Sequence, residues 1–192
     1  TFLNMINSGE PPFLEKGAKN LLKKSLKKKK LYTHTDYESL KKSKFLLICL
    51  GTPIDQKLKP KVKEFLNFFY FLRKIVKKSQ IIIIRSSIFP GVIDQVCNIL
   101  KGKNRNIVYC PERIVQGKSN EELPKLPQII AGYNQQSIIA TKNLFKKITS
   151  KIIITSVLEA ELIKLFSNAN RYINFSIANE FYMICKENNL EF

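Results

Sequence analysis

The sequence predicts an α/β domain built on a doubly wound parallel sheet, followed by one long helix. Short apolar runs alternate with longer helical patterns through most of the chain. The runs KFLLICL and QIIIIRS are apolar at nearly every position, which is typical of strands covered on both faces. In the last part of the chain the alternation gives way to an uninterrupted helical pattern, which predicts a separate structural layer.

The predicted elements follow a β-α-β-α order after a first segment of different character. That segment, residues 1–30, carries a Gly-Glu-Pro-Pro turn and then a helical pattern from about Leu14 to the lysine cluster. Runs of β-branched and apolar residues predict strands at 44–50, 80–85, 106–110, 128–131 and 151–155. Amphipathic patterns between these runs predict helices at 59–78, 91–100 and 135–148.

The last predicted element is a helix from residue 157 to about residue 188. Apolar residues recur through it at three- and four-residue spacing, and no Pro or Gly interrupts it. Helices of globular domains average about 11–12 residues. The length of this helix therefore suits a connection between two domains or a surface that packs on a second subunit.

The composition is that of a folded protein with an excess of positive charge. Hydrophobic residues make up 44% and charged residues 25%, which excludes a disordered chain. Lysine and arginine total 33 against 15 acidic residues, and the net charge of +18 raises nucleic acid or an anionic membrane as a partner. Only six of the lysines lie in residues 23–30, so the excess is spread along the chain, as an AT-rich genome produces without selection for binding. A basic nucleic-acid-binding module stays an alternative, whereas no apolar run is long enough to predict a membrane span.

The cysteine and histidine content argues against a disulfide framework and against a metal centre. The four cysteines form no CxxC pair, and a chain of this length builds a core without disulfides, which favours a reducing cytoplasm. His34 is the only histidine, and no cluster of metal-ligating residues surrounds it in the sequence.

Polar residues follow three of the predicted strands, where ligands bind in open α/β sheets. Thr52 follows the first strand, Ser86 and Ser87 follow the second, and Glu112 follows the third. The three hydroxyls are expected either to contact a cofactor or to serve as turn and helix-cap residues. A carboxylate at a buried strand end needs a partner or a use, so Glu112 is expected in a site or in an ion pair with Arg113 or a nearby lysine.

A polar stripe runs along the long predicted helix. Its members recur at three- and four-residue spacing, which sets neighbouring side chains about 5–6 Å apart on one face; they are Glu161, Lys164, Asn168 and Arg171. A lysine and an amide one turn apart are able to hold a water and stabilise an oxyanion. A solvated helix face has the same pattern, so the interpretation depends on whether the stripe faces the strand ends.

Six segments of the chain resemble, in order, those of the UDP-glucose/GDP-mannose dehydrogenase family. They are INSGEPPFLEKG, THTD, LGTPID, RSSIFPG, YCPERIVQGKSNEELPKLPQIIAG and EAELIKLFSNANRYINFSIANEFYMIC. The PER sequence in the fifth segment is similar to that of the family branch whose members act on UDP-N-acetylmannosamine or UDP-N-acetylglucosamine. The resemblance extends over essentially the whole chain.

The resemblance implies an enzyme that uses NAD twice to oxidise a sugar C6 alcohol to a carboxylate for surface polysaccharide synthesis. It assigns cofactor contacts to Thr52, Pro53, Ser87 and Glu112. It assigns the handling of the hydrolytic water to Glu112, and the stabilisation of that water and of the oxyanion to Lys164 and Asn168. It assigns substrate binding to Arg113, Ile114, Val115, Gly117, Lys164, Asn168 and Arg171.

The resemblance also implies a domain division. Residues 1–155 resemble an NAD-binding domain that lacks its first βαβ unit, since the sequence contains no GxGxxG motif. Residues 156–192 resemble the start of a central helical dimerisation domain, so a homodimer through the 157–188 helix is expected. The family's catalytic cysteine motif and its C-terminal UDP-binding domain have no counterpart in the sequence.

We therefore expect an internal fragment that is inactive alone, from a cytoplasmic enzyme whose substrate is a UDP-sugar and whose partners include neither nucleic acid nor membrane. Another NAD dehydrogenase of the β-hydroxyacid type is an alternative, because such enzymes share the Rossmann half and a helical Lys/Asn pair.

Overall fold

One five-stranded sheet organises the computed structural model, which describes residues 2–52, 54–56, 59–115 and 117–192. The strands lie side by side in chain order; they are β1 (Phe45–Ile48), β2 (Ile81–Ile84), β3 (Ile107–Tyr109), β4 (Gln128–Gly132) and β5 (Ile152–Thr155). Each strand overlaps the run that predicted it, because β-branched, aromatic and other apolar residues dominate these segments.

Helices connect the strands and extend beyond them at both ends. They are α1 (Phe2–Asn7), α2 (Ala18–Lys27), α3 (Val62–Ile75), α4 (Val92–Leu100), α5 (Ser119–Glu122), α6 (Gln135–Phe145) and α7 (Val157–Glu187), with a 3₁₀ helix at Glu38–Lys42. The four helices predicted from residue 59 onward are confirmed as α3, α4, α6 and α7. By contrast, α2 begins later than the predicted Leu14, because Gly17 has a left-handed backbone with φ of 80°.

The sheet is mixed, which corrects the expectation of a wholly parallel sheet. β1, β2 and β3 are mutually parallel, and β4 is parallel to β5, but β3 and β4 pair in antiparallel fashion. Among the described residues of the connection from β3 to β4, the only helix is the four-residue α5. A parallel neighbour requires a crossover that is usually helical, whereas an antiparallel neighbour does not. The α/β class and the doubly wound arrangement are confirmed.

The core lies on both faces of the sheet. One face packs against α3, α4 and the start of α7, and the other face packs against α6. Every residue of β2 is buried, as its continuous apolar sequence predicted. In β1 the same prediction is wrong for one face, because Leu47 is 48% exposed. β1 is an edge strand of the sheet.

Among the described residues, no helix is long and apolar enough to cross a membrane.

Candidate functional site

A cleft lies beyond the ends of β1 and β2. It encloses about 350 Å³ of empty space, its open mouth included, and both Thr52 and Ser87 line it. The other walls are mainly apolar, and they include Ile54, Phe65, Ile88, Phe89 and Val92. The cleft therefore presents two hydroxyl groups on an apolar surface. The predicted cofactor contact at Pro53 lies outside the described residues.

A third hydroxyl lies beside this cleft. Ser86 precedes Ser87 directly after β2, is 6% exposed, and its Oγ has no hydrogen-bond partner among the described residues. Buried hydroxyls are normally hydrogen-bonded, because an unmade bond costs about 1–3 kcal/mol. An unsatisfied hydroxyl at a strand end is the kind of group that a bound ligand or water satisfies.

The carboxylate of Glu112 forms an ion pair with the guanidinium of Arg85. Of the two alternatives for Glu112, a functional site or an ion pair with Arg113 or a nearby lysine, the second is wrong about the partner, because the ion pair is with Arg85. β2 and β3 are adjacent and parallel, so the residues after them meet at one edge of the sheet. The guanidinium of Arg113 is used elsewhere, since its Nη2 donates to the carbonyl of Pro127 at 2.7 Å.

Arg85 is a site residue that the sequence analysis missed. Its Nη1 donates to Gln128 Oε1 at 3.0 Å, and the guanidinium lies 5.0 Å from the ring centroid of Phe145. Burial lowers the pKa of Arg85, with Cys110 and Cys49 acting in the opposite direction, yet an arginine stays charged at neutral pH. The available signal was a charged residue at the end of a fully buried strand, which needs a partner.

Two backbone amides fix the orientation of the Glu112 carboxylate. Its Oε1 accepts hydrogen bonds from the amide of Arg113 at 2.8 Å and from that of Ile114 at 3.1 Å. Its other oxygen faces Arg85. The carboxylate is thus held from two sides while its side chain stays 32% exposed.

Helix α7 brings two basic side chains to the loop that follows β3. The Nζ of Lys164 donates to the carbonyl oxygen of Glu112, and Nη2 of Arg171 donates to the carbonyl oxygen of Arg113 at 3.2 Å. Burial, followed by the positive charges of Arg171 and Arg113, lowers the pKa of Lys164. Asn168 lies between these residues on the same helix face and is half-buried, and its side chain makes no hydrogen bond among the described residues. The polar stripe therefore faces the end of β3.

Glu161 holds helix α7 against the start of α4. It is 1% exposed, and its carboxylate accepts from the amide of Gly91 at 2.8 Å and from the amide of Ile93 at 3.1 Å. These amides belong to the start of α4, where backbone donors have no partner within the helix. The first members of the polar stripe are consequently buried against the domain, which excludes a solvated face.

The loop predicted to run along the substrate is held by carboxylates. The amide of Val115 donates to Glu122 Oε2 at 2.7 Å, and the amide of Gly117 donates to Glu15 Oε2 at 2.9 Å. Ile114, Val115 and Gly117 are half-buried. Glu15 and Glu122 were not among the predicted site residues, and local sequence carries no signal for such a long-range contact.

Two of the four cysteines, Cys97 and Cys110, are poorly suited to nucleophilic chemistry. Cys110 is fully buried next to the strand end, and burial raises its pKa to about 12. Burial and Asp94 raise the pKa of Cys97 to about 11. Thiolates are the reactive form, so both residues behave as core residues. The described residues contain no group of His, Cys, Asp and Glu side chains able to hold a metal ion.

Comparison with known proteins identifies the family. The model of the UDP-glucose/GDP-mannose dehydrogenase family, NAD binding domain, matches residues 2–149. The chain belongs to the UDP-glucose/GDP-mannose dehydrogenase family. This confirms the resemblance drawn from the six segments, and it favours neither another kind of β-hydroxyacid dehydrogenase nor a nucleic-acid-binding module.

Three similar members of the family carry the same activity in their names. The UDP-N-acetyl-D-mannosamine dehydrogenase of Methanococcus vannielii is 32% identical over 190 residues, which are 96% of this chain and 44% of that protein. The structure of the UDP-D-ManNAc dehydrogenase from Pyrococcus horikoshii matches with a TM-score of 0.83 at 26% identity, over 97% of this chain and 46% of that one. The UDP-N-acetyl-mannosamine dehydrogenase Cap5O from Staphylococcus aureus matches with a TM-score of 0.80 at 27% identity, over 98% of this chain and 47% of that one. This family member thus spans somewhat less than half the length of these relatives.

The packing of α3 also weighs against the nucleic-acid alternative. Such a module needs exposed aromatic side chains interleaved with lysines. Phe65 is 5% exposed and Phe69 is fully buried, because both pack on the sheet. In this dehydrogenase-family domain, Phe65 and Phe69 therefore form core, whereas Tyr70 and Phe71 of the same helix are exposed.

Proposed function

We propose that this chain supplies the NAD-binding surface and part of the catalytic machinery of a UDP-N-acetylhexosamine 6-dehydrogenase. The enzyme oxidises the sugar C6 alcohol to a carboxylate for surface polysaccharide synthesis. One observation carries the proposal: Lys164 of α7 contacts Glu112 at the end of β3, beside the cleft lined by Thr52 and Ser87. Oxidation of an alcohol needs proton-handling groups next to a bound hydride acceptor. At this edge of the sheet, Glu112 and Lys164 would handle the protons, and the cleft would hold the hydride acceptor.

The cleft residues fit NAD as the cofactor. The hydroxyls of Thr52 and Ser87 would hold its polar groups, and the apolar walls would exclude water from its ring. The buried Ser86 hydroxyl, which lacks a partner among the described residues, supplies a further polar contact. When bound, the nicotinamide accepts a hydride from the sugar carbon.

Proton handling is assigned to Glu112, Lys164 and Asn168. The Glu112 carboxylate, oriented by Arg85 and by two amides, acts as the base that receives a proton from water. The lowered pKa of Lys164 makes its ammonium group a stronger acid, so that it stabilises a developing oxyanion by hydrogen bonding. Asn168, one turn further along α7, adds an amide donor next to that oxyanion.

The sugar nucleotide is assigned to the loop after β3. Arg113, Ile114, Val115 and Gly117 lie along it, and Arg171 donates to a carbonyl of the same loop. The named activity of the similar relatives, together with the PER sequence, supports an N-acetylated sugar. None of these loop residues supplies a thiol, and burial raises the pKa values of Cys97 and Cys110, which disfavours either thiol as a nucleophile.

Two further proposals concern assembly and location. We propose a homodimer through α7, whose surface carries exposed aromatic and aliphatic side chains. The domain boundary follows, with residues 1–155 binding NAD and residues 156–192 opening a dimerisation domain. The four cysteines are free thiols, which supports a cytoplasmic location.

Calorimetric titration of the purified chain tests the proposed function. NAD is expected to bind, and UDP-N-acetylmannosamine or UDP-N-acetylglucosamine is expected to bind more tightly than UDP-glucose to the NAD-saturated chain. Lys164→Met is expected to weaken the binding of the UDP-sugar without affecting that of NAD. Failure to bind NAD, or equal affinity for all three sugar nucleotides, would contradict the proposal.

A further inference from the structure

One carboxylate joins two segments that are far apart in the chain. Glu15, which lies before α2, accepts hydrogen bonds from the amide of Gly117 at 2.9 Å, the hydroxyl of Ser119 at 2.9 Å and the amide of Asn120 at 3.4 Å. The donors follow Glu15 by 102 to 105 residues. Three donors on a single carboxylate form a specific contact, since bonds to ionised groups are stronger than neutral ones.

The loop also bonds to the residue that follows Glu15. Nδ2 of Asn120 donates to the carbonyl oxygen of Lys16 at 2.7 Å, and Nζ of Lys16 lies 3.4 Å from Glu121 Oε1. Gly17 and Gly117 both have left-handed backbones, with φ of 80° and 88°. Each segment therefore turns sharply where the two meet.

The carboxylates that bond to the loop belong to two different segments of the chain. Glu112 binds the amides of Arg113 and Ile114, and Glu122 binds the amide of Val115. Both of these carboxylates belong to the same 112–122 segment, so they fix only its internal conformation. Glu15 belongs to a different segment, and its bonds fix where the loop lies relative to the segment that precedes α2.

We propose that Glu15 is a positioning residue for the sugar-nucleotide loop, and that it acts through Gly117, Ser119 and Asn120 without touching the substrate. The inference rests on the proposed function, which assigns residues 113–117 to substrate binding. Desolvation of Glu15 is outweighed by hydrogen bonds from Ser119, Asn120 and Gly117, which lower the pKa of its carboxyl group. The carboxylate is consequently ionised over the neutral pH range and accepts all three bonds there.

Hydrogen exchange tests the positioning without any ligand. In Glu15→Ala, the amides of Gly117 and Asn120 are expected to exchange about tenfold faster than in the unsubstituted chain, because their acceptor is gone. Glu15→Gln keeps one acceptor oxygen and is expected to show an intermediate effect. Glu10→Ala is the matched control, since Glu10 lies in the same segment but pairs with Lys19 at 2.8 Å. Equal exchange in the Glu15 and Glu10 variants would overturn the proposal.

Binding measurements separate positioning from general stability. Glu15→Ala is expected to raise the Kd for UDP-N-acetylmannosamine about tenfold, while the Kd for NAD and the Tm stay unchanged. A parallel rise in the Kd for NAD with a fall in Tm would overturn the positioning role, as would an unchanged Kd for the UDP-sugar. If the unsubstituted chain binds no UDP-sugar, the proposed function fails, and the exchange result alone then decides whether Glu15 orders the loop.

Discussion

The guanidinium of Arg85 and the carboxylate of Glu112 form an ion pair across the ends of two adjacent parallel strands. The Arg85 side chain is 8% exposed and the Glu112 side chain is 32% exposed. Arg85 is therefore the buried anchor, while Glu112 keeps access to the surface where a substrate would lie. The pair links the end of β2, which borders the proposed cofactor cleft, to the end of β3, which carries the proposed base.

Replacing Arg85 with methionine is expected to lower the free energy of unfolding by about 2–4 kcal/mol, because Glu112 would keep a partly buried charge without its partner. Urea unfolding measures the loss. Arg105→Met is the control, since Arg105 is exposed, and its effect is expected to stay within about 0.5 kcal/mol. The double variant Arg85→Met/Glu112→Gln should recover part of the loss, and a purely additive result would show that the two groups do not interact.

Removing the cleft hydroxyls is expected to weaken NAD binding. Thr52→Ala and Ser87→Ala each remove a hydroxyl from the cleft wall, and the loss of one hydrogen bond corresponds to about a three- to tenfold rise in the Kd for NAD. Titration calorimetry gives the Kd directly. Thr35→Ala and Ser79→Ala remove exposed hydroxyls elsewhere and are expected to bind NAD normally. Unchanged affinity in both cleft variants would move the cofactor away from this cleft.

The sequence predicted the element order because the signals were local and strong. The all-apolar run of β2 and the uninterrupted pattern of α7 each specify one structure over many residues. The orientation of β4 was not predictable in the same way. The orientation depends on the path that the chain takes from β3 to β4. Periodicity within a strand carries no information about the direction of that strand.

Within the candidate site, the sequence predicted which residues lie there more readily than it predicted which residues bond to one another. Glu112 and Lys164 stood out because charged groups beside buried strands need a use. The actual partner of Glu112 is Arg85, 27 residues away in sequence, and the loop is held by Glu15, about 100 residues before it. Such pairs form only when tertiary packing brings the segments together, so spacing along the chain does not predict them.

Glu161 is expected to contribute strongly to stability through the start of α4. Its carboxylate binds the amides of Gly91 and Ile93. Glu161→Ala would leave both amides without an acceptor in a buried place, at a cost of about 2–4 kcal/mol. Urea unfolding provides the measurement, and Glu180→Ala on the exposed part of the same helix is the control. A similar small effect of both substitutions would contradict the docking role of Glu161.

Glu159 is expected to make stability depend on acid pH. Hydrogen bonds from the hydroxyl of Thr155 and from the amide and hydroxyl of Ser156 lower its pKa from 4.5 to about 2. A carboxyl whose pKa is depressed by folding stabilises the folded state above its unfolded pKa and loses that contribution as pH falls. The difference in Tm between the unsubstituted chain and Glu159→Gln should thus be complete above about pH 4.5 and vanish near pH 2. A difference independent of pH, measured by circular dichroism, would contradict this assignment.

The outer face of α7 carries an apolar stripe that is expected to form a dimer interface. Its side chains lie at helical spacing and are 46% to 64% exposed; they are Phe166, Ile173, Ile177, Phe181 and Ile184. Contiguous apolar surface of this kind marks interaction sites, because burying it releases about 25 cal/mol per Å². Sedimentation of the unsubstituted chain is therefore expected to show a dimer.

Phe181→Asp would bury a charge at the centre of that interface, and we expect it to shift the chain to a monomer at micromolar concentration. Asn179→Asp adds the same charge on a different face of the helix and should leave the dimer intact. A monomeric unsubstituted chain, or equal effects of the two substitutions, would contradict an interface on this stripe. A dimer that survives Phe181→Asp would assign self-association to another surface, such as the exposed face of β1 around Leu47.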